Sequence, residues 1–354
     1  MSVVPRELLS YGQLLDESIA SFLEKFKGEL PERSSDVDWA FDVLEEYSLR
    51  PSKRIRGSLA GATYDYASKQ QHAEAGIRLG AAIEIVQNYL LIVDDVMDRS
   101  ATRRGQPTVH ELHGHKYRPD DIHQSNMAAI QVGLLANCVA SSCFLDVSIP
   151  SENIVRALLA LERHMAITGF GQIDDMHQAM GVNVTEDDLL RKYKQKSSYY
   201  SFVDPIETAL LLAGKDSSMA RLDAEAYGIP AGVAFQLRDD YLGIFGDTDT
   251  TGKANLDDIR EGKYTLMMHY ALEAATAIQA EKLISILGDP AADSSDLDTV
   301  RAILEETGAS ERAMKEAHVY AARAGEAARE AASWDSAFGD LLGALVDFSV
   351  ERTR

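Results

Sequence analysis

Helical periodicity runs through almost the whole chain and leaves room for little else. Apolar residues return every three to four positions over Arg6–Lys27, Asp36–Tyr47, Lys53–Tyr66, His72–Val93, Ser125–Leu145, Glu152–Met180, Glu186–Lys196, Tyr200–Leu212 and Ser218–Leu242. The pattern continues in five further segments between Tyr264 and Val350. Alternating strand-like runs bounded by Gly or Asn-Gly turns are absent. Boundary residues agree: Thr185 precedes Glu186, Asp187 and Asp188, Ser151 precedes Glu152, and Gly214 and Gly288 follow helical patterns. The expectation is an all-α fold. No low-complexity linker or repeat divides the 354 residues, so one domain spanning 1–354 is the simplest organisation.

Charge narrows the function. Thirty-five basic against 56 acidic residues give a net charge of −21, which disfavours nucleic acid and docking on anionic lipid. The most apolar segment, Ile130–Leu145, is broken by Gln131, Asn137, Ser141 and Ser142, so it reads as a core or interface helix and no membrane insertion is expected. Met1–Gly12 lacks a basic region followed by an apolar run. Cys138 and Cys143 fit neither metal nor redox spacing and read as small buried side chains in a reducing, cytoplasmic setting.

Two acidic clusters interrupt apolar helices. Asp94-Asp95-Val96-Met97-Asp98 follows the run Tyr89–Val93, and helical geometry puts Asp94 and Asp98 on one face. Two carboxylates one turn apart can share oxygen ligands for Mg2+, which keeps several waters and accepts phosphate oxygens. Asp-Asp pairs are common here, and Asp187-Asp188 is adequately explained as a solvated first turn. Carboxylates beside a strongly apolar helix, however, are costly unless compensated. In Phe235–Gly243, Gln236, Asp239, Asp240 and Gly243 form one helical stripe. Facing one another, the two clusters could clamp several metal ions around a diphosphate. Basic islands lie close by in sequence: Lys53-Arg54-Ile55-Arg56, Arg103-Arg104, Lys253 and Lys263. Each alone is more often a solvated face than a ligand; together they suit phosphate binding.

The ordered set resembles the trans-prenyl diphosphate synthases of farnesyl and geranylgeranyl type. Asp94-Asp95-x-x-Asp98, then Arg103-Arg104-Gly105, then Phe235-Gln236-x-x-Asp239-Asp240 fit that family in order and spacing, within matching elements from Lys53 to Thr265. Lys53-x-x-Arg56-Gly57 is similar to its isopentenyl diphosphate motif, and Gln87 matches a position held by Gln or His. Gly171-Gln172-x-x-Asp175 resembles another signature, read as mainly structural. Lys196-Ser197-x-x-Tyr200-Ser201-Phe202-x-x-Pro205 resembles the helix break over the reacting carbons. Gly252-Lys253 and Asp258-Ile259-x-x-x-Lys263-x-Thr265 match the loop after the second motif. Ser52 and Val93 depart from the pattern without removing a presumed ligand. Gly243 stands where many members carry a further Asp, a loss for which Asp247 is a candidate replacement.

The resemblance implies helices around a deep cavity, usually in a homodimer, and a Mg2+-dependent condensation of isopentenyl diphosphate with an allylic diphosphate. Metal would be held by Asp94, Asp95, Asp98, Asp239 and Asp240; Arg103, Lys196, Lys253 and Lys263 would add charge at the allylic diphosphate. Lys53, Arg56, Gln87 and Arg104 would hold isopentenyl diphosphate. Carbonyls near Lys196 and Ser197, with the Gln236 side chain, would stabilise the allylic cation. Tyr89 and Leu90, five and four residues before Asp94, would set product length, with one aromatic favouring the twenty-carbon product over the fifteen-carbon one. A class I terpene cyclase and a non-catalytic subunit of a heteromeric synthase remain as alternatives.

Overall fold

The computed structural model describes residues 4–117, 119–178, 184–246, 256–331 and 335–352. The helices are α1 (Arg6–Glu29), α2 (Ser35–Leu49), α3 (Ile55–Ser68), α4 (Ala73–Met97), α5 (Val109–Lys116), α6 (Ile122–Leu145), α7 (Ser151–Gln178), α8 (Glu186–Tyr193), α9 (Asp204–Leu212) and α10 (Ser217–Phe245). Later helices span Asp257–Arg260, Leu266–Ala274, Ala277–Ile286, Ser294–Glu306, Ala309–Ala331 and Ser336–Glu351. The strand content among the described residues is one hairpin, β1 (Thr102–Arg103) with β2 (Gln106–Pro107). The all-α expectation holds. Caps explain the boundaries: Thr185 and Asp188 form a capping box, as do Thr276 with Gln279 and Asp293 with Asp296.

The chain forms two compact units, one of residues 5–161 and 205–220, the other of residues 1–4, 162–204 and 221–354. In the first, α4 packs chiefly against α3 and α6, and also against α1. The α3–α4 approach is close because both helices present glycine: a Cβ on Gly57 would lie 2.6 Å from the Gly80 carbonyl oxygen. Helices α4 and α6 are long and apolar enough to cross a membrane by composition, but α4 is the first unit's core, with Leu79, Ile83, Ile85 and Ile92 buried. Helix α6 keeps Met127, Leu134 and Leu145 exposed. Cys143 is buried as expected; Cys138 is exposed, because it lies on the uncovered side of α6.

In the second unit, α8 runs into a π-helical segment, Lys194–Val203, where sequence periodicity suggested an α-helix ending near Lys196. Two features account for the wider turn. Pro205 has no N–H and its ring crowds the carbonyl four residues back, so the α register cannot continue. The Asp204 N–H instead reaches the Tyr199 carbonyl, five residues back. Glycines on two neighbours admit the bulging backbone: a Cβ on Gly171 of α7 would overlap the Lys196 backbone, and one on Gly232 of α10 would overlap Ser198.

Candidate active site

In the first unit, the end of α4 and the hairpin assemble most of the expected groups. Asp94, Asp95 and Asp98 lie in the last turn and C-cap of α4, a turn that contains no basic residue and where the helix dipole is negative. Carboxylates are unfavourable there, so their charge needs cations. One is Arg103: its guanidinium lies 3.5 Å from Asp94 and binds Asp95 through Nε at 2.7 Å. Burial alone would lower the Arg103 pKa, but Asp95 and Asp94 more than reverse this and hold it as a cation. Asp95 is fully buried and also accepts from the Tyr47 hydroxyl at 3.0 Å. Asp95, expected as a metal ligand, is thus engaged by two protein donors. It lies about 100° around the helix from Asp94, faces inward and orients Arg103, whereas Asp94 and Asp98 are half-buried.

The hairpin itself is held in place. Arg104 and Gly105 both have positive φ, 55° and 73°, the signature of a tight two-residue turn. Arg50, 3% exposed, donates to the Arg103 carbonyl at 3.2 Å and the Pro107 carbonyl at 2.9 Å. Its guanidinium also pairs with Glu46 and stacks over Tyr47, 4.6 Å from the ring centroid. Burial lowers the Arg104 pKa, partly opposed by Glu84, and Arg54 and Arg103 lower it further. Arg104 Nη1 is buried and has no hydrogen-bond partner among the described residues. Such a nitrogen is costly unless an acceptor arrives. Lys53 and Arg56, at the start of α3, and Gln87, on α4, belong to the same unit and are half-buried. Tyr89 and Leu90 are half-buried on α4, and Gly133 of α6 comes close to Tyr89 and Val93.

The second unit holds the second acidic motif. Gln236 accepts from the Ser197 hydroxyl at 2.6 Å and donates to Asp240 at 2.8 Å. Both ends of its amide are thus engaged, and it couples the π segment to α10. Asp240 also accepts from the Tyr193 hydroxyl. Burial pushes its pKa up to about 6 despite these donors. Asp240, like Asp95, is thus engaged by protein donors, while the side chain of Asp239 is 44% exposed and pairs with Arg352. Lys196 pairs with Asp175 at 2.5 Å, and Lys192 with the same carboxylate at 2.9 Å. Burial would raise the Asp175 pKa, but the two lysines overcome it and hold the carboxyl well below the usual range. The Gly171-Gln172-x-x-Asp175 signature therefore does more than pack.

Gly243 has a spatial reason. A Cβ there would overlap Asp258 Oδ2, so the carboxylate absent from position 243 is supplied beside it by Asp258, which pairs with Lys263 at 3.2 Å. Asp247, Gly252 and Lys253 lie outside the described residues. Sequence reasoning missed Tyr47, Arg50 and Glu84, whose contacts with Asp95, Pro107 and Gly57 span 27 to 57 residues and leave no local pattern; it placed Arg54 only within a basic island.

Metal fits the donor set. Among the described residues no three His, Cys, Asp or Glu side chains converge as a closed cage. Asp94 and Asp98 form a hard-oxygen pair that leaves positions for water and phosphate, the incomplete shell Mg2+ favours.

Residues 37–306 match the polyprenyl synthetase family model. The chain is 30% identical to a geranylfarnesyl diphosphate synthase of Aeropyrum pernix over 85% of this chain and 91% of that one. It is also 30% identical to a short chain isoprenyl diphosphate synthase of Methanothermobacter thermautotrophicus, over 98% and 97%. The structure of a Corynebacterium glutamicum geranylgeranyl pyrophosphate synthase, complexed with isoprenyl diphosphate and magnesium, superposes with a TM-score of 0.90 at 26% identity, covering 98% of this chain and 99% of that one. On these grounds the chain belongs to the polyprenyl synthetase family.

Proposed function

We propose that the protein condenses isopentenyl diphosphate head-to-tail with an allylic diphosphate, in a Mg2+-dependent reaction ending at geranylgeranyl diphosphate. The observation that carries this reading is Arg104: a buried guanidinium nitrogen without an acceptor, on a clamped hairpin beside the carboxylates of α4. A diphosphate oxygen satisfies that nitrogen; a solvated surface arginine would need no such partner.

Asp94 and Asp98 hold metal in this reading, as does Asp239 once Arg352 yields its carboxylate. Bound metal neutralises the charge that develops on the departing diphosphate. Arg103 adds a fixed positive charge to that end, with its orientation set by Asp95. Lys196 and Lys263 are read as adding charge at the allylic diphosphate as well. Lys53, Arg56, Gln87 and Arg104 hold isopentenyl diphosphate, so that its double bond attacks the allylic cation. The widened turn at Lys196–Ser197 leaves carbonyl dipoles to stabilise that cation, and Gln236 keeps the turn fixed. The departed diphosphate takes the proton. A single aromatic at Tyr89, with Leu90 next to it, supports twenty carbons ahead of fifteen. A second cationic diphosphate site, at Lys53, Arg56 and Arg104, favours elongation over cyclisation of one substrate. The exposed Met127, Leu134 and Leu145 of α6 support assembly into a homodimer, and the protein acts in the cytoplasm.

The test is elongation by purified protein with labelled isopentenyl diphosphate, Mg2+ and dimethylallyl, geranyl or farnesyl diphosphate. The expected result is a metal-dependent ladder ending at twenty carbons, lost in Asp94→Ala and Asp98→Ala. No incorporation with any primer overturns the reaction; an end at fifteen carbons overturns the reading of Tyr89 and Leu90. Light scattering on the wild type and Leu134→Glu reads the assembly, expected as dimer and monomer.

A further inference from the structure

The first turn of α3 carries Arg56, with Lys53 just ahead of it, yet it lacks the usual means of holding a helix start. Its N-cap is Arg54, in the left-handed region at φ 50°, with no side-chain cap. The acceptor comes instead from another helix. Glu84 of α4, 1% exposed, takes the Gly57 amide on Oε1 at 2.9 Å, and its Oε2 lies 3.4 Å from Arg54 Nη1. Gly57 is the third residue of α3, where a capping acceptor acts. No side chain fits at position 57, because a Cβ would lie 2.7 Å from Glu84 Cγ. Arg54 has further anchors, Asp16 at 2.8 Å and the Ser48 carbonyl at 2.6 Å.

We infer that Glu84 is a positioning residue for the homoallylic diphosphate: it caps α3 from outside and thereby fixes Lys53 and Arg56. The reach of its side chain matters here, and its charge is secondary. A buried carboxylate next to a diphosphate site weakens the local positive field, so it is there for the oxygen it gives to Gly57. The inference rests on the proposed reaction.

Three variants separate reach from charge. Glu84→Gln keeps an oxygen at the Gly57 amide and drops the charge. Glu84→Asp keeps the charge, hence a counterion for Arg54, but its carboxylate stops about 1.5 Å short. Glu84→Ala drops both. KM for isopentenyl diphosphate, KM for the allylic primer and kcat are measured for each, with binding of isopentenyl diphosphate to metal-free protein by calorimetry. The Asp and Ala variants are expected to bind isopentenyl diphosphate at least about tenfold more weakly, with the primer KM unchanged. The Gln variant is expected to stay within about threefold of the wild type. Asp behaving as wild type while Gln fails overturns the inference, as does an equal effect on both substrates. Should Ala not fold, the Asp–Gln contrast still decides. A wild type that elongates nothing refutes the proposed reaction, whereas an elongating wild type with the reversed contrast refutes only the role of Glu84.

Discussion

Replacing Arg50 by Met removes the clamp on the hairpin while leaving Arg103 and Arg104 untouched. The Arg50 guanidinium is the donor to two carbonyls of that hairpin, those of Arg103 and Pro107. Each charge-assisted bond is worth about 1.5 kcal/mol, and stacking on Tyr47 adds about 0.5–1 kcal/mol. Glu46, with its side chain 49% exposed, adds little. The hairpin is thus expected to loosen by about 3–4 kcal/mol, which makes local opening roughly 100-fold or more easier. Amide exchange reads this directly, because the Thr108 N–H bonds to Ala101 across the base of the hairpin at 3.0 Å. Protection there should fall by about that factor, while amides inside α4 keep theirs. Both diphosphate sites should weaken, since Arg103 and Arg104 share the turn. Arg50→Lys should resemble Met, because one ammonium cannot span both carbonyls as the planar fork does. Unchanged exchange at Thr108, or a Lys variant with wild-type affinity for both substrates, refutes the clamp.

Other perturbations have equally definite outcomes. Asp240 has its folded pKa raised to about 6, so between about pH 4 and 6 the folded state holds a proton the unfolded state releases, and stability falls as pH rises through that window. Urea unfolding of metal-free protein should show that decline, with a slope that flattens in Asp240→Asn. Gly243→Asp, which adds the carboxylate absent from this position, must displace the Asp258 side chain and should cost about 1–3 kcal/mol in urea unfolding. Arg352→Gln frees the carboxylate of Asp239 and should lower the Mg2+ concentration giving half-maximal elongation, read from a metal titration at fixed substrate.

The sequence carried the helices because their apolar stripes and caps are local signals: the Thr185–Asp188 box is readable in four residues. It also carried the face shared by Asp94 and Asp98, which helical spacing dictates. What it could not carry is the difference between neighbouring carboxylates. Asp94 and Asp95 look alike until Tyr47, 48 positions away, is found bonded to one of them. The supporting residues Arg50 and Glu84 are equally invisible, since an arginine or glutamate in an amphipathic helix ordinarily faces water. The break at Lys196–Pro205 was legible by resemblance, but its π form was not: the cause is split among Pro205, Gly171 and Gly232, none of which lies within the ten residues.

That segment also sets a phase. A helix bonded five residues back takes up about one residue more per turn than an α-helix, and one residue corresponds to about 100° of rotation. Everything downstream of Val203 is therefore read out at an angle that depends on the bulge persisting. Removing a single residue between Lys194 and Val203 would do more than shorten the helix. It would swing the next side chains onto a different face, so that Asp204, now bonded to His164 at 2.9 Å, would turn away from it. Point substitutions should thus be tolerated along this stretch far better than any change in its length.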